Sequence, residues 1–317
     1  MRKNIPFTKN LFKCLIVPAV ILVLGIVMLF VNGANLDINF TGGYLSSYSY
    51  TGTVDEAAAK DAISAVVDYN ITVSSSTSIS GETSRLVVSI AAKDGITAEE
   101  QTKITDALVK AFPDNEIALY DINNVSAVVG GKFFLKSLFA VGLAAIFVII
   151  YVAIRFRKIG GASAAVSSLI ALLHDILVAF FFCIIFNIKI DTNFMAVVLT
   201  LLGYSLNNTI VIYDRVRENN NKYPELSRED NVNKSINETL TRSILTTITT
   251  LFAVVAVAVI SEIRGVTSLR SFAIPMAVGL IAGCFSSVCV AGPLWVKWRA
   301  FTDKHSKKNK KTSKKKK

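Results

Sequence analysis

The strongest constraint on this chain is a series of six long apolar runs. Helices of about 17–25 apolar residues cross the hydrocarbon core of a membrane. With 52% hydrophobic residues in a length of 317, the chain is also too apolar for an ordinary soluble domain. We therefore predict an α-helical polytopic membrane protein with six transmembrane helices. The runs are Leu11 to Val31, Phe134 to Ile154, Ala164 to Phe186, Phe194 to Tyr213, Ile244 to Ile260 and Phe272 to Val296.

The first run could be mistaken for a signal peptide, because basic residues precede it. It is long enough to span a bilayer, however, and Asn32-Gly33-Ala34 is a poor cleavage site. We expect residues 1–34 to form a cytoplasmic N-terminus and an uncleaved helix, which Pro18 kinks.

Residues 35–131 differ in character, since Ser, Thr, Asp and Glu are plentiful and no run is long enough to span a membrane. The spacing of apolar residues predicts the order β-α-β-β-α-β, which is the ferredoxin-like pattern of an α+β domain. Thr97 and Glu100 have the spacing of a capping box for the second helix, and Pro113 favours its end. The predicted elements are Tyr44 to Thr51 (strand), Val54 to Val67 (helix), Ile71 to Ile79 and Arg85 to Ile90 (strands), Thr97 to Phe112 (helix) and Glu116 to Val125 (strand).

Positive charge predicts the orientation in the membrane. Basic residues cluster at the N-terminus, after the second and fourth runs, and in the tail, although two arginines between Glu262 and Ser271 go against the pattern. Both termini are therefore predicted to be cytoplasmic, and residues 35–131 extracytoplasmic. Residues 132–298 then contain helices 2 to 6. Residues 299–317 form a Lys-rich cytoplasmic tail that we expect on anionic lipid, with RNA as the alternative and no DNA binding.

His174 and Asp175 lie near the middle of the third run. A carboxyl group at that depth must be protonated, paired or facing water. A protonatable side chain inside a helix bundle favours a proton or ion path. The simpler alternative is a hydrogen bond between helices that only holds the packing.

The fourth run contains two adjacent amides, Asn207 and Asn208, and leaves the membrane through the charged stretch Asp214-Arg215-Val216-Arg217-Glu218. Amides in a membrane helix need hydrogen-bond partners, so this helix is expected to face the bundle interior. The charged exit is either an interfacial anchor or a helix that docks a partner.

Arg242 precedes the fifth run, on a helix that could begin as early as Ser235. In that position Arg242 would reach the level of the two amides. The alternative is a cation that snorkels to the cytoplasmic interface.

No soluble catalytic set is present. His174 and His305 are the only histidines, and no glycine-rich phosphate loop opens a helix. The four cysteines fall in apolar runs without metal-ligand spacing. We therefore predict no enzyme activity, no metal and no cofactor.

The stretch from Gly203-Tyr204-Ser205-Leu206-Asn207 to Asp214-Arg215-Val216-Arg217-Glu218-Asn219 closely resembles the signature of the SecF family of protein-export accessory subunits. Together with further matches, the resemblance covers most of the chain except the middle of residues 35–131 and the tail. The further matches are Phe40-Thr41-Gly42-Gly43, Ile154-Arg155-Phe156, His174-Asp175, Thr241-Arg242-Ser243, Ser286-Ser287 and Pro293.

The resemblance implies a six-helix unit of the resistance-nodulation-division type in the bacterial cytoplasmic membrane. Such a unit pairs with SecD, associates with the SecYEG channel and uses the proton-motive force to help draw preproteins across the membrane. It also implies that Asn207, Asn208 and Arg242 lie in the region of the ion path.

The chain departs from the family at two positions. An aspartate usually follows Asn207, but here Asn208 does, and an amide takes up no proton in the physiological range. Asn39 likewise stands where the family usually has Asp, with Asp37 two residues away. We hypothesise that proton transfer rests on the partner subunit's own carboxylate, assisted by Asp175, while Asn208 and Arg242 form a hydrogen-bonded interface. Sodium coupling is the second possibility, because amide and carbonyl oxygens can bind a hard cation.

Two other functions remain open. A small-molecule exporter of the same superfamily would share the bundle, but such exporters usually have a duplicated, much longer chain. A scaffold would only hold the external domain beside the channel, and its action would be indifferent to the proton gradient.

Overall fold

The computed structural model describes residues 5–77, 84–92, 96–125, 127–264 and 267–302. Within these ranges, six helices are long and apolar enough to cross a membrane, as predicted. The lysine tail from Asp303 onward, including His305, lies outside the described residues, as does the predicted break at Gly81.

The elements follow the predicted order, but several of the membrane helices are longer than their apolar runs. The helices are α1 (Leu11–Asn32), α2 (Ile38–Thr41), α3 (Glu56–Ser64), α4 (Ala98–Ala111), α5 (Ala127–Arg155), α6 (Gly161–Ile185), α7 (Thr192–Lys222), α8 (Arg228–Arg264) and α9 (Thr267–Ser286). The strands are β1 (Gly43–Tyr50), β2 (Asn70–Thr77), β3 (Ser84–Ala91) and β4 (Ala118–Val125). A π-helical turn, Ser287–Ala291, follows α9, and the last span continues to Thr302.

Both α7 and α8 extend well beyond their apolar runs. The charged exit is part of α7, and α8 begins at Arg228, earlier than Ser235. The two extensions are held together because Arg215 Nε donates to Glu238 Oε2 at 2.6 Å and Asn219 Nδ2 donates to Ser235 Oγ at 3.0 Å. The predicted polar connection after the fourth span is therefore mostly an antiparallel pair of helices.

Three helices form the centre of the bundle. In their most apolar stretches, 50% of the residues of α6, 50% of α7 and 67% of the last span are buried. The corresponding fractions are 11% for α1, 6% for α5 and 11% for α8. Since α1, α5 and α8 leave most of their apolar surface uncovered, these helices are available to lipid or to a partner subunit.

The region between α1 and α5 contains a four-stranded antiparallel sheet in the order β2-β3-β1-β4. The elements follow one another as strand, helix, strand, strand, helix, strand. Tyr48, Leu86 and Ile104 are fully buried in the core of this region. Burial, followed by the effect of the neighbouring Tyr48, raises the pKa of Tyr44 to about 12.

The predicted capping box at the start of α4 is formed. Glu100 N donates to Thr97 Oγ1 at 3.3 Å, and Thr97 N donates to Glu100 Oε2 at 2.9 Å. The bond from the Thr97 backbone, and then that from its side chain, lower the pKa of the Glu100 carboxyl group. The capping box thus satisfies the backbone N–H group of Glu100 within the first turn of α4.

A compact junction joins the sheet to the bundle. The chain after α1 pairs with the α6–α7 connection through a parallel bridge between Leu36 and Ile190. Asp37 Oδ2 lies 2.6 Å from Lys189 Nζ, and Asp37 Oδ1 accepts bonds from Asn39 N at 2.9 Å and Asn39 Nδ2 at 2.6 Å. The carboxylate two residues before the usual family position is therefore the one that anchors this junction.

The Phe-Thr-Gly-Gly motif belongs to the same junction. Phe40 is buried and its ring centroid lies 5.5 Å from that of Phe134 at the start of the second span. Thr41 Oγ1 donates to the backbone of Gly42 at 3.0 Å. Gly43 has φ 149°, and a Cβ there would lie 2.4 Å from the backbone oxygen of Ile90. The glycine allows the close approach of two backbones, so this motif is structural.

Candidate functional site

Asp175 is fully buried at the centre of the bundle and bonds to two other helices. Its Oδ2 accepts a bond from Ser205 Oγ of α7 at 2.5 Å and from Ser286 Oγ of α9 at 2.9 Å. Its Oδ1 lies 2.9 Å from Nδ1 of the adjacent His174. Among the described residues, no lysine or arginine is within ion-pair distance of it. A carboxyl group in this setting is either neutral or balanced by His174.

Small residues make this site possible. A Cβ on Gly283 would lie 3.0 Å from Ser205 Oγ and 3.4 Å from Asp175 Oδ2. A second pair of hydroxyls continues the contact, since Thr209 Oγ1 donates to Ser287 Oγ at 3.1 Å. The π-helical turn begins at Ser287, and such turns often occur at functional sites. The α7–α9 contact is therefore polar along two successive turns.

The second predicted centre, Asn208, is also buried, with 3% of its surface exposed. Its Nδ2 has no hydrogen-bond partner among the described residues. The hydroxyl oxygens of Ser243 and Thr247 on α8 are also buried, and they too have no hydrogen-bond partner among the described residues. Buried polar groups without partners are rare and call for an explanation such as water, an ion or a missing subunit.

The register of α7 against α8 places Asn208 near the hydroxyls of Ser243 and Thr247. Arg215 bonds to Glu238, and Asn219 bonds to Ser235, so the two helices run antiparallel. Because both rise equally per residue, the same register puts Asn208 opposite the α8 turn that contains Ser243 and Thr247.

Arg242 does not pair with Asn208. It is exposed, and its side chain has no hydrogen bond or ion pair to any described residue. It lines an open cleft of 750 Å³ between α7 and α8, together with Asn207, Asp214 and Arg217. The hypothesised bond between Asn208 and Arg242 is therefore absent here, because Asn208 points into the packed interior while Arg242 faces the cleft.

The charged exit of α7 is a network of ion pairs. Asp214 Oδ1 lies 2.9 Å from Arg155 Nη2 of α5 and 3.1 Å from Arg217 Nη2. Arg215 Nη1 also lies 2.7 Å from Glu218 Oε2. Together with the bond from Arg215 to Glu238, these contacts tie α5, α7 and α8 together, so a bare interfacial anchor is too simple a description.

The remaining residues of the signature differ in their surroundings. A Cβ on Gly203 would meet no atom within 4 Å, and Tyr204 Oη is buried with no described partner. Asn207 is exposed in the cleft, whereas Ser205 belongs to the carboxyl site.

The sequence did not predict that Ser205 and Ser286 meet at Asp175. Their positions in the resemblance were the available signal, but contact across helices is set by tertiary packing.

The described part of the chain has no group of three or more His, Cys, Asp or Glu side chains placed to hold a metal ion. The hydroxyls and amides near Asp175 and Asn208 are the groups that could contact an ion or water.

Comparison with known proteins identifies relatives over most of the chain. The family described as "Protein export membrane protein SecD/SecF, C-terminal" matches residues 104–300. The SecF subunit of a protein translocase from Sebaldella termitidis is 34% identical over 274 residues, which are 86% of this chain and 85% of that protein. SecF from Alicyclobacillus acidocaldarius is 33% identical over 287 residues, covering 88% of each. SecDF from Bacillus subtilis is 34% identical over 301 residues, 92% of this chain and 38% of its own length.

Two solved structures have the same fold. One is SecDF, a translocon-associated membrane protein from Thermus thermophilus, with a TM-score of 0.75 and 23% identity. The other is SecDF in a super-membrane-facing form, with a TM-score of 0.60 and 25% identity. They match 93% and 97% of this chain, which spans only 38% and 40% of theirs.

Proposed function

The chain belongs to the SecD/SecF family as a SecF-type protein translocase subunit, and we propose that it couples an ion gradient to protein export. In this proposal it pairs with SecD and acts beside the SecYEG channel on translocating preproteins. SecDF relatives, in which one chain carries more than twice the length matched here, support SecD as the partner. Because its relatives are named as translocase subunits, we propose no catalytic activity.

The observation that carries the proposal is the buried carboxyl group of Asp175. It joins α6, α7 and α9 through Ser205 and Ser286, and its protonation changes the charge at the centre of the bundle. When the carboxyl group loses its proton, both hydroxyls can donate to it. When Oδ2 itself gains a proton, at least one of these bonds must rearrange, because the O–H group is a donor, whereas a proton on Oδ1 leaves Oδ2 able to accept both bonds. Proton uptake can in this way shift α7 against α9.

Asn208 has a different role in this proposal. Its amide cannot titrate, so proton transfer rests on Asp175 and on a carboxylate of the SecD partner. We infer that Asn208, Ser243 and Thr247 provide a neutral polar surface between α7 and α8, in place of the hypothesised bond between Asn208 and Arg242.

The topology belongs to the proposal as well. Residues 1–34 form the cytoplasmic N-terminus and first helix, residues 35–131 a ferredoxin-like extracytoplasmic domain, and residues 132–298 the remaining helices. The sheet order and the alternation of elements support the ferredoxin-like assignment. Both termini are cytoplasmic in the bacterial membrane, and residues 299–317 lie on anionic lipid.

The test uses membrane vesicles that contain this chain, SecD and the channel, and follows gradient-driven completion of preprotein translocation. We expect Asp175→Asn to abolish the gradient-dependent part of export, because Asn keeps the size of the side chain but not the titration. Glu225→Gln, which neutralises an exposed carboxylate, is the matched control and should leave export unchanged.

Three outcomes would contradict parts of this proposal. Full gradient dependence in Asp175→Asn would remove Asp175 from the path. If export stayed dependent on the gradient after the SecD carboxylate was removed, proton transfer would not be shared between the two subunits. If export by the unmodified chain continued unchanged after the gradient was collapsed, the scaffold function would be favoured.

A sodium gradient is the second candidate. The specific observation in its favour is the pair of unpartnered hydroxyls of Ser243 and Thr247 on the α8 turn opposite Asn208, because hydroxyl oxygens can be ligands for hard cations. Replacing sodium with potassium in the same vesicles should stop export if sodium is the coupling ion, and should have no effect if protons are.

A further inference from the structure

The imidazole ring of His174 contacts Asp175 with one nitrogen and leaves the other without a partner. Its Nδ1 lies 2.9 Å from Asp175 Oδ1, whereas its Nε2 is buried with no hydrogen-bond partner among the described residues. Only 10% of the side chain of His174 is exposed, and none of that of Asp175. Buried polar atoms without partners are rare, so Nε2 calls for a ligand, of which water is the simplest.

The carboxyl group determines which nitrogen of the ring can take up a proton. An ionised carboxylate only accepts hydrogen bonds, so Nδ1 of His174 must carry the hydrogen in its contact with Oδ1. In a neutral ring the lone pair is then on Nε2. Among the described residues, the carboxyl group of Asp175 interacts with His174, Ser205 and Ser286, so no other titratable side chain shares its proton.

A proton can cross the ring in two balanced steps. A hydronium ion at Nε2 gives its proton to the lone pair and becomes water, and Nδ1 gives its own proton to Asp175 Oδ1. The products are a neutral ring with hydrogen on Nε2 and a neutral carboxyl group whose Oδ1–H donates to Nδ1. Oδ2 accepts from Ser205 and Ser286 throughout. Proton entry by this route therefore precedes any shift of α7, which follows when the carboxyl group turns its hydroxyl toward the serines.

The surroundings of the ring separate this route from the cleft between α7 and α8. The ring centroid of His174 lies 6.2 Å from that of Phe285 on α9. Phe285 and Leu15 of α1 pack against the cluster that contains Ala171, one turn before His174 on α6. The cleft that contains Arg242 is instead lined by residues of α7 and α8. His174 thus lies where α1, α6 and α9 meet.

We propose that His174 relays protons between water at its Nε2 and Oδ1 of Asp175, on the side of the bundle formed by α1, α6 and α9. The inference deepens the proposed function and rests on it, since it names the group through which Asp175 is loaded and unloaded. A purely structural role, in which His174 only holds the carboxyl group in place, needs Nδ1 but not Nε2.

The chain contains two histidines, so the relay can be observed directly. The test uses the full-length chain with isotope-labelled histidine in lipid nanodiscs, in which His305→Asn leaves His174 as the source of the ring signals in NMR. Infrared spectroscopy follows the Asp175 carboxyl band, identified by its loss in Asp175→Asn. As the pH falls, we expect the hydrogen on the ring to move from Nδ1 to Nε2 at the pH at which the carboxyl band appears.

The variant His174→Asn tests the second nitrogen, because the asparagine amide can still donate to Oδ1 but has no counterpart of Nε2. On transfer to heavy water, we expect the Asp175 carboxyl band of this variant to exchange about a hundredfold more slowly. His305→Asn makes the same change at the other histidine and should exchange at the unmodified rate. In vesicles with SecD and the channel, His174→Asn should slow gradient-driven export and leave gradient-independent export unchanged.

Three results would overturn the relay. These are a ring that stays unchanged while the carboxyl band appears, a ring that becomes doubly protonated while Asp175 stays ionised, and unchanged exchange in His174→Asn. The pH series requires no substitution at the site, so it decides the matter even where His174→Asn does not fold.

The spectroscopy needs neither SecD nor a gradient, which separates the two proposals. If the relay fails while Asp175→Asn still abolishes gradient-dependent export, the relay is wrong and the proposed function stands. If no carboxyl band of Asp175 appears at any pH, Asp175 does not take up the proton, and both are overturned.

Discussion

Asp175 and Asn208 are both buried polar residues, yet their surroundings have different consequences. Asp175 has partners for both carboxyl oxygens, and the atom of its site that lacks a described partner is Nε2 of the adjacent His174. Asn208 has an amide nitrogen without a described partner, so its site is incomplete. An unpaired buried donor costs about 1–3 kcal/mol. Asn208 therefore marks a place where a hydrogen-bond acceptor, such as water or a group from a partner subunit, can contribute.

Two threonines that differ in hydrogen bonding provide a test at this scale. Thr209 Oγ1 donates to Ser287 Oγ, whereas Thr247 Oγ1 is buried without a described partner. We expect Thr209→Val to lower the free energy of unfolding by about 1–2 kcal/mol, and Thr247→Val to leave it unchanged or raise it. Thermal unfolding in detergent measures both. Equal destabilisation would mean that Thr247 has a bound partner, and a sodium-dependent loss would identify it.

The sequence predicted the identity of the polar residues better than their contacts. The need of a buried carboxyl group for partners follows from elementary electrostatics, so Asp175 was selected correctly as a buried polar position. Which hydroxyls supply the bonds depends on the rotation of α7 and α9 about their axes, and the local sequence does not fix it. For the same reason, the sequence did not predict that Arg242 lines the cleft between α7 and α8 while Asn208 is buried.

At the scale of elements, apolar runs predicted the number of membrane helices but not their ends. An apolar run ends at the first charged residues. The helix itself can continue beyond that point, as long as its polar side chains have hydrogen-bond or ion-pair partners. The charged exit of α7 stays helical because Arg215 and Asn219 bond to α8. The short helix α2 was missed because four residues carry too little periodic signal.

Packing of α7 on α9 gives a prediction for one glycine. A Cβ on Gly279 would lie 2.3 Å from Leu201 Cδ1 and 2.7 Å from its Cδ2, and Leu201 is 1% exposed. We expect Gly279→Ala to destabilise the bundle by about 1–3 kcal/mol through this overpacking. Gly142→Ala on α5 is the matched control, since its Cβ meets no atom within 4 Å.

The control should be neutral, or stabilising by up to about 1 kcal/mol, because alanine favours a helix. Melting in detergent with identical lipid compares the two variants. A lower melting temperature for Gly142→Ala than for Gly279→Ala would contradict the assigned contact between α7 and α9.

At the scale of the whole molecule, the bundle and the four-stranded sheet meet at the junction around Asp37. Residue patterns predicted both parts, but not how they are joined, because the joining residues are distant in sequence. Asp37 follows α1, whereas Lys189 lies in the α6–α7 connection and also reaches Ser89 Oγ of β3 at 3.5 Å. Any movement of the sheet relative to the bundle must act on this contact.

The substitution Asp37→Asn removes the ion pair with Lys189 but keeps the hydrogen bond from Asn39 N, because the asparagine oxygen can still accept it. The side chain of Asp37 is 7% exposed and that of Lys189 29%, so screening is incomplete. We expect a loss of about 1–3 kcal/mol at the junction, and hydrogen exchange of the Asp37 and Ile190 amides about tenfold faster or more. These amides report directly, since Asp37 N bonds to Ile190 O, and Ile190 N bonds to Asn35 O.

Glu262→Gln is the matched control on the same predicted side of the membrane. Glu262 pairs with Arg270 at 3.5 Å, but both side chains are more than half exposed, so its loss should change exchange little. If Asp37→Asn left the two junction amides as protected as Glu262→Gln does, the ion pair would not hold the sheet to the bundle. The backbone bridge alone would then carry force between the two parts, and Lys189 would serve only to neutralise a buried carboxylate.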